Sequence, residues 1–557
     1  MLSKAGLYMR TVRHLRATQV VARLRLKLPK APTPQGNLNF DIRQPPQGWK
    51  AHVRKPISIP QRGIFSFLNV SAAFADIGWV GDEMPLLWRY NQHYFDDLCA
   101  QDAQARQDIH QDLIAQWIEQ NPMGSAVAWD LYPTSLRIVN WVKYGFTQTT
   151  LPALFYESLA LQARHLNRNI EWHILGNHLF ANGKALLFAG LLFTGSEAEA
   201  WRKTAFAILI QELEEQFLED GGHFERSPMY HAILLEDLLD LVNLLRCYHK
   251  TLTPDLSALL SALTTRIPSA LMYLQNMTHG DGEVSFFNDA AMGIAAPYKD
   301  LAEYAHRLGF PQPPAQNAGF FMGPSGYAGM RGPDSACLLV DIAPVGPDYL
   351  PGHAHADSLS FELSFGATRV ITNGGTSEYG TSPERHRQRG TAAHATLMCD
   401  NQNSSEVWGG FRVGRRAKIH DINVQFGGDG FCAKASHSGY AHLSGRPIHH
   451  RGWTYEPGKL VISDTLSGRG THPVSIQFPL HPEISCQKSN TGILLTLPEE
   501  QSPKRIHVTL TGADEIEIEN SSWHPQFGIS LPSVKICARR SGPLPQKFET
   551  VFQWDDK

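Results

Sequence analysis

Residues 352–363 have the sequence Gly-His-Ala-His-Ala-Asp-Ser-Leu-Ser-Phe-Glu-Leu, and they mark the place where a loop leads into a sheet. From Leu359 onward apolar and polar residues alternate, which is typical of a β-strand. In an extended chain, side chains two residues apart point to the same side, so we expect His353 and His355 to face one site together. The alternative is that each is only a hydrogen-bonded histidine of a loop or core.

The segments after about residue 315 continue this strand pattern. Short apolar runs alternate there with Gly, Pro, Asn and Asp turns. The runs are 337–342, 360–365, 368–372, 459–463, 474–478, 493–497, 506–510 and 515–518. The sequence therefore predicts an all-β domain in this half of the chain.

Upstream, from about residue 102 to residue 277, the pattern is helical. Apolar residues recur at spacings of three and four between short breaks, and they predict helices near 102–120, 133–146, 152–168, 174–193, 197–218, 228–250 and 254–275. Consecutive helices with short connections run antiparallel, as in a bundle, a solenoid or a closed toroid. We expect an all-α domain followed by an all-β domain, with the border near residues 310–325.

The composition describes an ordinary globular protein of more than one core. The 557 residues are 42% hydrophobic and 18% charged. A net charge of −3 gives no basic field over the whole molecule, so nucleic acid is not an expected partner, although a local basic cleft could bind a polyanion. Seven cysteines without a Cys-x-x-Cys pair predict reduced thiols rather than a disulfide framework.

The first 30 residues carry eight Lys or Arg residues that interrupt any apolar run, so the segment does not look like an export signal. It predicts an amphipathic basic helix that packs on its own domain or makes a peripheral membrane contact, with Leu7, Val12, Leu15, Val20, Val21 and Leu24 on or near one side. A Pro-rich extended connection follows to about residue 60. We expect a cytoplasmic or inner-membrane-associated protein, with the periplasm as the alternative.

Two polar clusters open predicted helices in the upstream half. Asn177 and His178 end the run Trp-His-Ile-Leu-Gly-Asn-His at 172–178. Tyr230 follows Gly-Gly-His-Phe-Glu-Arg-Ser-Pro at 221–228, where Ser-Pro suits a helix start. Polar groups at helix ends suit a cleft on the loop side, whereas Asn177 as a helix cap and His178 as a packing residue are the structural alternatives.

Four motifs in this order resemble the heparinase II/III superfamily of polysaccharide lyases. They are Gly-Asn-His at 176–178, Gly-Gly-His-Phe-Glu-Arg-Ser-Pro-Met-Tyr-His at 221–231, Gly-His-Ala-His-Ala-Asp at 352–357 and Thr-Ala-Ala-His at 391–394. The resemblance implies an α+β multidomain chain, in which an incomplete α/α toroid precedes an antiparallel β-sandwich domain. The expected domains are an N-terminal helix and linker at 1–60, the toroid at 61–315 and the β-sandwich at 316–557.

The resemblance also implies cleavage of an acidic, uronate-containing glycan by β-elimination, the glycan being of glycosaminoglycan or bacterial exopolysaccharide type. This reaction must neutralise the uronate carboxylate, remove the proton on C5 and protonate the oxygen on C4. By resemblance Asn177 takes the first task with His178 as helper, and Tyr230 and His353 share the other two. Which of them is the base stays open, because a tyrosine of pKa about 10 needs a cationic neighbour, whereas a histidine of pKa about 6.5 needs little tuning.

Charged and aromatic side chains near these motifs are candidates for holding the substrate. Arginine pairs bidentately with carboxylate or sulfate, and it could also be the cationic neighbour of Tyr230. The candidates are Glu225, Arg226, Arg385, Arg389 and Trp408. A solvated loop for the arginines at 382–389 and sheet packing for Trp408 are the structural alternatives.

A structural divalent ion is a further implication of the resemblance, with zinc, manganese and calcium as the candidates and no organic cofactor. His355 and His394 would be nitrogen ligands. The third ligand of the family is an aspartate, and Asn373 stands in its place here, a neutral and weaker ligand.

Two other classes of function stay open at this point. A glycoside hydrolase on a helical toroid would use a pair of carboxylates, for which Asp220, Glu225 and Glu236 are available. A non-catalytic polysaccharide-binding or assembly protein would keep the scaffold without the reaction. The sequence gives no indication of the oligomeric state.

Overall fold

The computed structural model describes residues 4–555 apart from residue 30, residues 37–39, 44, 45, 47, 315–317 and 499–502. A helical domain comes first and a sheet domain second, as the sequence predicts. The last helix before the change ends at Arg307 and the next strand begins at Gly319. The border expected between residues 315 and 316 lies outside the described residues.

The N-terminal segment forms two helices, α1 (Lys4–Val12) and α2 (Ala17–Arg25), so the prediction of one continuous helix is wrong. The break comes at Arg16, whose extended backbone begins α2. The Gln19 side chain accepts a hydrogen bond of 3.0 Å from the Arg16 N–H, which satisfies a donor at the start of the second helix. A hairpin of β1 (Ile64–Phe67) and β2 (Val70–Ala73) and the short helix α3 (Phe74–Ile77) follow.

The helical domain is an incomplete toroid of antiparallel neighbours. Its helices are α4 (Leu86–Tyr94), α5 (Gln107–Gln120), α6 (Leu131–Gly145), α7 (Ala153–Arg168), α8 (Gly176–Leu192), α9 (Ser196–Gln216), α10 (Pro228–Cys247), α11 (Pro254–Asn276) and α12 (Tyr298–Arg307). Short 3₁₀ turns lie at Asp96–Cys99, Ala103–Arg106, His249–Thr251 and, later in the chain, Thr391–Ala393. All seven predicted helices are present, and α4 and α12 are additional. Helix α8 is buried nearly all round because its sequence is apolar on every side, which makes it the central helix of the domain.

The sheet domain contains three larger antiparallel sheets. The first consists of β3 (Gly319–Met322), β4 (Tyr327–Arg331), β5 (Ala336–Asp341), β6 (Phe361–Phe365) and β7 (Thr368–Ile371) in sequence order. The short helix α13 (Pro383–Gln388), β8 (Leu397–Cys399) and a small hairpin of β9 (Val407–Trp408) and β10 (Arg412–Val413) come next. The remaining strands are β11 (Ile419–Gly427), β12 (Gly430–His437), β13 (Ile448–Glu456), β14 (Lys459–Ser467), β15 (Thr471–Pro479), β16 (Ser485–Ser489), β17 (Gly492–Thr496), β18 (Arg505–Thr511), β19 (Glu515–Trp523), β20 (Leu531–Pro543) and β21 (Gln546–Trp554).

An eight-stranded sheet has the order β11-β12-β13-β14-β21-β18-β17-β16, and a four-stranded sheet has the order β19-β20-β15-β8. Their inner faces and that of the first sheet share one core, which includes Phe361, Trp453, Phe478 and Phe552. Along β13 and β14, buried residues alternate with more exposed ones. This is the pattern of strands that have one face on the core and the other toward solvent. The predicted β-sandwich is therefore the architecture of this domain.

The first sheet also packs on the helical domain. Tyr273 of α11 and Met277, which directly follows the helix, share a small core with Phe320, Tyr327 and Leu339 of the sheet. The loop before α10 joins this interface, because Asp220 accepts hydrogen bonds from the backbone N–H and the hydroxyl of Ser325. The motifs at 221–231 and 352–357 are thereby brought to the boundary between the two domains. None of the described helices is long and apolar enough to cross a membrane.

Candidate active site and metal centre

Tyr230 lies in the first turn of α10, which Ser227 caps by accepting a hydrogen bond of 3.2 Å from the Tyr230 N–H. Its ring stacks on that of His353, with 3.7 Å between the ring centroids. Its hydroxyl shares a hydrogen bond of 2.8 Å with the hydroxyl of Tyr379. A residue at a helix start and a residue of the loop before β6 therefore form one pair, as the sequence motifs predict.

Asp289 holds both histidines of the His-x-His motif. Its two carboxylate oxygens lie 3.0 Å from His353 Nδ1 and 2.8 Å from His355 Nε2. Arg385 binds the same carboxylate through both terminal nitrogens. His353 and His355 thus do face one side, and the group they face is a buried carboxylate.

The charge of Asp289 determines the protonation of its neighbours. Burial alone would raise its pKa, but Arg385 and the hydrogen bonds from His353, His355 and Arg385 hold the pKa of Asp289 well below its usual range. An ionised carboxylate only accepts hydrogen bonds, so His353 Nδ1 and His355 Nε2 must carry protons. In a neutral His353, the lone pair is then on Nε2.

His353 Nε2 points toward Glu225. The distance from Nε2 to Glu225 Oε2 is 3.5 Å. Glu225 is buried, which raises the pKa of its carboxyl group, while His353, His178 and the backbone N–H of Asn177 oppose the shift. No side chain among the residues that the structure describes donates a hydrogen bond to its carboxylate oxygens, so the group has capacity for a polar group of a bound substrate.

Asn177 and His178 begin α8 close to Glu225. Gly176, with φ of +59°, approaches so closely that a Cβ there would lie 2.3 Å from Leu350 Cδ2 and 3.2 Å from Glu225 Oε1. Asn177 is largely buried, whereas the His178 side chain keeps 27% of its exposure. His178 Nδ1 lies 3.0 Å from Glu171 Oε1, a hydrogen bond that fixes the ring beside the cleft.

The phenol of Tyr230 stays protonated at neutral pH. Burial raises the pKa of Tyr230 well above 10, and the nearby Tyr379 and Asp289 raise it further. The Arg226 guanidinium donates to the backbone carbonyls of Phe224 and Ser325, and Arg385 is paired with Asp289. Neither arginine acts as the cation that would convert Tyr230 into a base.

A cavity of about 470 Å³ extends from Tyr230 into the toroid. Its walls carry the phenol rings of Tyr132, Tyr230 and Tyr379 together with the charged groups of Lys55, Lys184, Glu236 and Asp237. The charges are already paired, since Lys55 binds Glu236 at 2.8 Å and Lys184 binds Asp237 at 2.6 Å. Rings and polar groups around one cavity suit a sugar, whose faces are apolar and whose edges are hydroxyl groups.

His355 and His394 face each other with nitrogens that both lack protons. His355 Nε2 donates to Asp289, and His394 Nδ1 donates to the Gly390 carbonyl at 2.9 Å. Burial lowers the pKa of His355 and lowers that of His394 to about 4, so both rings are neutral. Their other nitrogens, His355 Nδ1 and His394 Nε2, lie 3.0 Å apart with two lone pairs facing each other. A cation between the rings would remove this repulsion.

A second histidine pair in the same domain shows the opposite arrangement. The Gly439 N–H donates to His437 Nδ1, so His437 Nε2 carries the proton and donates to His449 Nδ1 at 3.1 Å. His449 Nε2 donates in turn to Asp464 at 2.6 Å. Every nitrogen of that pair has a matching partner, which distinguishes a structural pair from the pair His355 and His394.

Asp357 completes a three-residue group with these histidines. One ligand atom of each of His355, Asp357 and His394 lies within 4.8 Å of the others, and all three residues are buried. Asn373 is fully buried too, and its side-chain oxygen accepts no hydrogen bond from any described residue. Two neutral imidazoles and a carboxylate fit a divalent cation by their donor chemistry, and Asn373 stays a predicted further ligand.

The other predicted substrate-binding residues are engaged with the protein. Arg389 is fully buried and donates to the carbonyls of Ala354 at 2.9 Å and Gly409 at 3.0 Å. Trp408 donates its indole N–H to Thr11 of α1 at 3.0 Å. In this conformation Arg226, Arg385, Arg389 and Trp408 shape the loops around the cleft, and Glu225 is the predicted substrate-binding residue whose polar atoms remain available.

Sequence reasoning did not assign roles to Asp289, Asp357 or Tyr379. Asp357 stands inside the motif at 352–357, so its proximity to His355 was visible. Asp289 follows Phe-Phe-Asn at 286–288 in a loop after α11, and Tyr379 follows a Gly-Gly turn. Neither lies in a periodic segment, and only the fold brings them to His353.

Comparison with known proteins gives matches over most of the chain. The family model described as Heparinase II/III N-terminus matches residues 103–313, and that described as Heparinase II/III-like, C-terminal matches residues 314–555. The heparin-sulfate lyase of Pedobacter heparinus is 25% identical over 337 residues, which are 54% of this chain and 48% of the relative. FtsZ-localized protein C of Caulobacter vibrioides is 30% identical over 358 residues, which are 60% of this chain and 58% of the relative.

This chain therefore spans about half the length of the curated relatives that it matches. Among solved structures, heparinase III superposes with a TM-score of 0.67 at 18% identity, over 100% of this chain and 93% of that chain. At this level of identity the likeness shows the fold, an incomplete toroid followed by antiparallel sheets.

Proposed function

We propose that the chain, which belongs to the heparinase II/III family, is a polysaccharide lyase that cleaves a uronate-containing acidic glycan by β-elimination. The observation that carries the proposal is the stacked pair of Tyr230 and His353 with Asp289 behind the histidine. It supplies a proton acceptor and a proton donor side by side, which is what elimination across C4 and C5 requires.

The protonation states assign a role to each group. His353 Nε2, the nitrogen with the lone pair, takes the proton from C5. The electrons of the C5–H bond then form the double bond between C4 and C5. The bond from C4 to the glycosidic oxygen breaks, and the Tyr230 phenol gives its proton to the leaving oxygen. Asn177 hydrogen-bonds the uronate carboxylate, and Glu225 accepts from a substrate hydroxyl. The products are a 4,5-unsaturated uronate and a new sugar hydroxyl.

The stacking of the two rings limits the configuration of the substrate. His353 and Tyr230 approach from the same side, so the C5 proton and the C4 oxygen must leave from one ring face. In D-glucuronate and D-mannuronate these two groups lie on the same face, whereas in L-iduronate they lie on opposite faces. We therefore propose a glucuronate-type or mannuronate-type polymer as the substrate.

The test is the ultraviolet absorbance of the unsaturated uronate after incubation with heparan, hyaluronan, alginate, bacterial uronate polysaccharides and the matched pair chondroitin and dermatan. The account predicts absorbance with a glucuronate polymer, chondroitin above dermatan, and its loss in Tyr230→Phe and His353→Ala. Tyr298→Phe and His306→Ala, which lie outside the cleft, are the controls. Saturated reducing ends without absorbance would indicate a glycoside hydrolase instead.

A divalent cation at His355, Asp357 and His394 belongs to the same proposal. Two imidazole nitrogens favour zinc over manganese and calcium, which prefer oxygen ligands. When bound, the ion would neutralise the facing lone pairs and fix the loop that carries His353. Metal analysis of the purified protein should give about one equivalent, and His394→Ala should abolish it, whereas a metal content unchanged in that variant would contradict the site.

A second candidate function is that of a non-catalytic polysaccharide-binding or assembly protein. The observation that favours it is the relative named FtsZ-localized protein C, which is 30% identical over 60% of this chain. Glycan-array binding by a protein that gives neither unsaturated nor saturated products would support this role and exclude the lyase.

The proposed place of work is the cytoplasm or the inner membrane, with the periplasm as the alternative. The cytoplasm and the inner membrane imply different substrates, because the protein would meet imported glycan fragments in the cytoplasm and growing polymers at the membrane. Cell fractionation with detection of the endogenous protein distinguishes the three compartments.

A further inference from the structure

We propose that α1 and α2 form a docking face for a membrane surface of anionic lipids. The inference concerns a surface that includes none of the reacting groups, and it holds whether or not the protein is a lyase. It rests on which side of each helix faces the protein, which exposed residues are apolar, and which charges accompany them.

Polar side chains make most of the contacts that attach the two helices to the rest of the molecule, and the edge-on contact of Tyr8 with the Trp408 ring, at 4.9 Å between centroids, adds an apolar one. Arg10 of α1 donates two hydrogen bonds, of 2.7 and 2.6 Å, to the Glu406 carboxylate, and Thr11 accepts from Trp408. At the start of α2, Arg16 pairs with Glu215 and lies over the Tyr349 ring. Gln19 is the buried residue of α2, and it donates to the Tyr349 carbonyl at 3.3 Å.

Apolar side chains occupy the opposite, solvent-facing side. A helix that only packs on its own domain turns its apolar residues inward, and these helices do the reverse. The structure gives 21 large hydrophobic residues as exposed, and eight of them fall within residues 8–28, at exposures between 43% and 71%. They are Tyr8, Met9, Val12, Val20, Val21, Leu24, Leu26 and Leu28. An exposed apolar cluster of this size marks a site of interaction.

Charge identifies the partner. Residues 1–40 contain eight of the 50 Lys and Arg residues of the chain and none of its 53 Asp and Glu residues, while the whole molecule has a net charge of −3. Lys4, Arg13, Arg23, Arg25 and Lys27 are exposed among the apolar residues. Long basic side chains around an apolar stripe suit an interface where apolar groups enter the acyl region and cations reach the phosphates. Each basic residue that reaches an anionic surface adds to the affinity for it.

The face stays in a fixed position because the two helices together are attached to both domains. Arg10 and Thr11 hold α1 to the segment 406–408 of the sheet domain, and Arg16 and Gln19 hold α2 to Glu215 of the helical domain and to Tyr349. Docking through both helices would therefore orient the whole molecule on the surface.

Vesicle co-sedimentation of the full chain tests the proposal. Wild-type protein should bind vesicles of phosphatidylcholine with phosphatidylglycerol, bind phosphatidylcholine alone at least about tenfold more weakly, and lose affinity as salt is raised. Val20→Ser with Leu24→Ser, and separately Arg23→Gln with Arg25→Gln, should each reduce binding to the anionic vesicles by about tenfold or more.

The matched controls change exposed residues of the same types elsewhere, namely Val80→Ser with Leu154→Ser, and Lys488→Gln with Arg505→Gln. These controls should bind like wild type, and all variants should keep the wild-type melting temperature because the altered side chains are exposed. The proposal would be overturned if the wild type did not bind anionic vesicles, or if both α2 variants bound them as strongly as the wild type. Formation of a dimer that only the α2 variants abolish would also overturn it, by assigning the face to a second copy of the chain.

Discussion

Asp289 connects the two centres of this protein at the scale of single residues. One carboxylate oxygen holds His353, which carries the proposed base, and the other holds His355, which faces the metal position. Because Arg385 keeps the carboxylate ionised, both histidines are held in the tautomer that leaves a lone pair on their remaining nitrogen. The base and the metal ligand therefore depend on the same group.

Replacing this carboxylate by an amide should affect both centres. In Asp289→Asn the side chain can donate as well as accept, so the tautomers of His353 and His355 are no longer fixed, and Arg385 loses its charge partner. We expect kcat to fall by about 100-fold and the metal content to fall with it, because partners of this kind change activity or metal affinity by about 10- to 100-fold. Steady-state kinetics and metal analysis measure the two effects.

Asp281→Asn is the matched control, since Asp281 forms a pair with a buried arginine, Arg369, at 2.7 Å outside the site. It should lower the melting temperature while leaving kcat and metal content near wild type. Equal losses of kcat in the two variants would mean that Asp289 acts only on stability.

At the scale of elements, local pattern and long-range contact were predictable to different degrees. The helices α5 to α11 follow from spacings of three and four, and the strands of the sheet domain from alternation, because both patterns are local. Helix α4 was not predicted, since its mixture of aromatic and polar residues has no simple period and its stability comes from buried contacts such as that of Trp88 with Phe67. The two N-terminal helices were predicted as one, because the extended residue Arg16 lies inside a continuous basic pattern.

The site shows the same division. Tyr230, His353, His355 and His394 stand in motifs, and the structure brings them together around Asp289. Asp289 and Tyr379 come from loops with no period, and Glu225 was assigned only by its neighbours in the chain. Arg385 and Arg389 were expected to bind the substrate, with a solvated loop as the alternative, yet they are buried because carboxylate and carbonyl groups from distant segments meet them there.

The turn before α10 makes a specific prediction about how the elements fit. Gly222 packs so closely that a Cβ would lie 2.0 Å from Ser325 Oγ and 2.5 Å from the Tyr273 ring. Gly222→Ala should therefore separate the turn from the sheet domain and destabilise the protein by about 1–3 kcal/mol, and it should lower kcat because Tyr230 follows the turn. Thermal unfolding measures the first effect. Gly427→Ala, where nothing lies within 4 Å of the added atom, should change neither, and an unaltered melting temperature in Gly222→Ala would contradict the packing described.

On the scale of the whole molecule, buried histidines make stability depend on pH. Burial lowers the pKa of His52 and His93 to about 3 and that of His231 to about 4. Below about pH 6.5 the unfolded chain binds protons at these residues and the folded chain does not. The free energy of unfolding is therefore highest above that pH and declines as the pH falls toward 4. Each such histidine lowers the free energy of unfolding by about 1.4 kcal/mol for every pH unit in this window.

We therefore expect these three histidines to make the melting temperature lower by about 3–4 °C at pH 5.5 than at pH 7.5. Scanning calorimetry at fixed ionic strength measures this difference. A melting temperature that is equal at the two pH values, or higher at pH 5.5, would mean that these histidines are not held neutral in the folded protein.

The central claim is that the cleft between the two domains breaks a glycosidic bond by elimination, and the mass balance of the products tests it most directly. A defined glucuronate oligosaccharide is incubated with the protein, and the masses of all products are measured. Elimination adds no water, so the account predicts fragments whose masses sum to that of the substrate, formed by the wild type and not by His353→Ala. Fragments that sum to the substrate plus one water molecule would show hydrolysis and contradict the account.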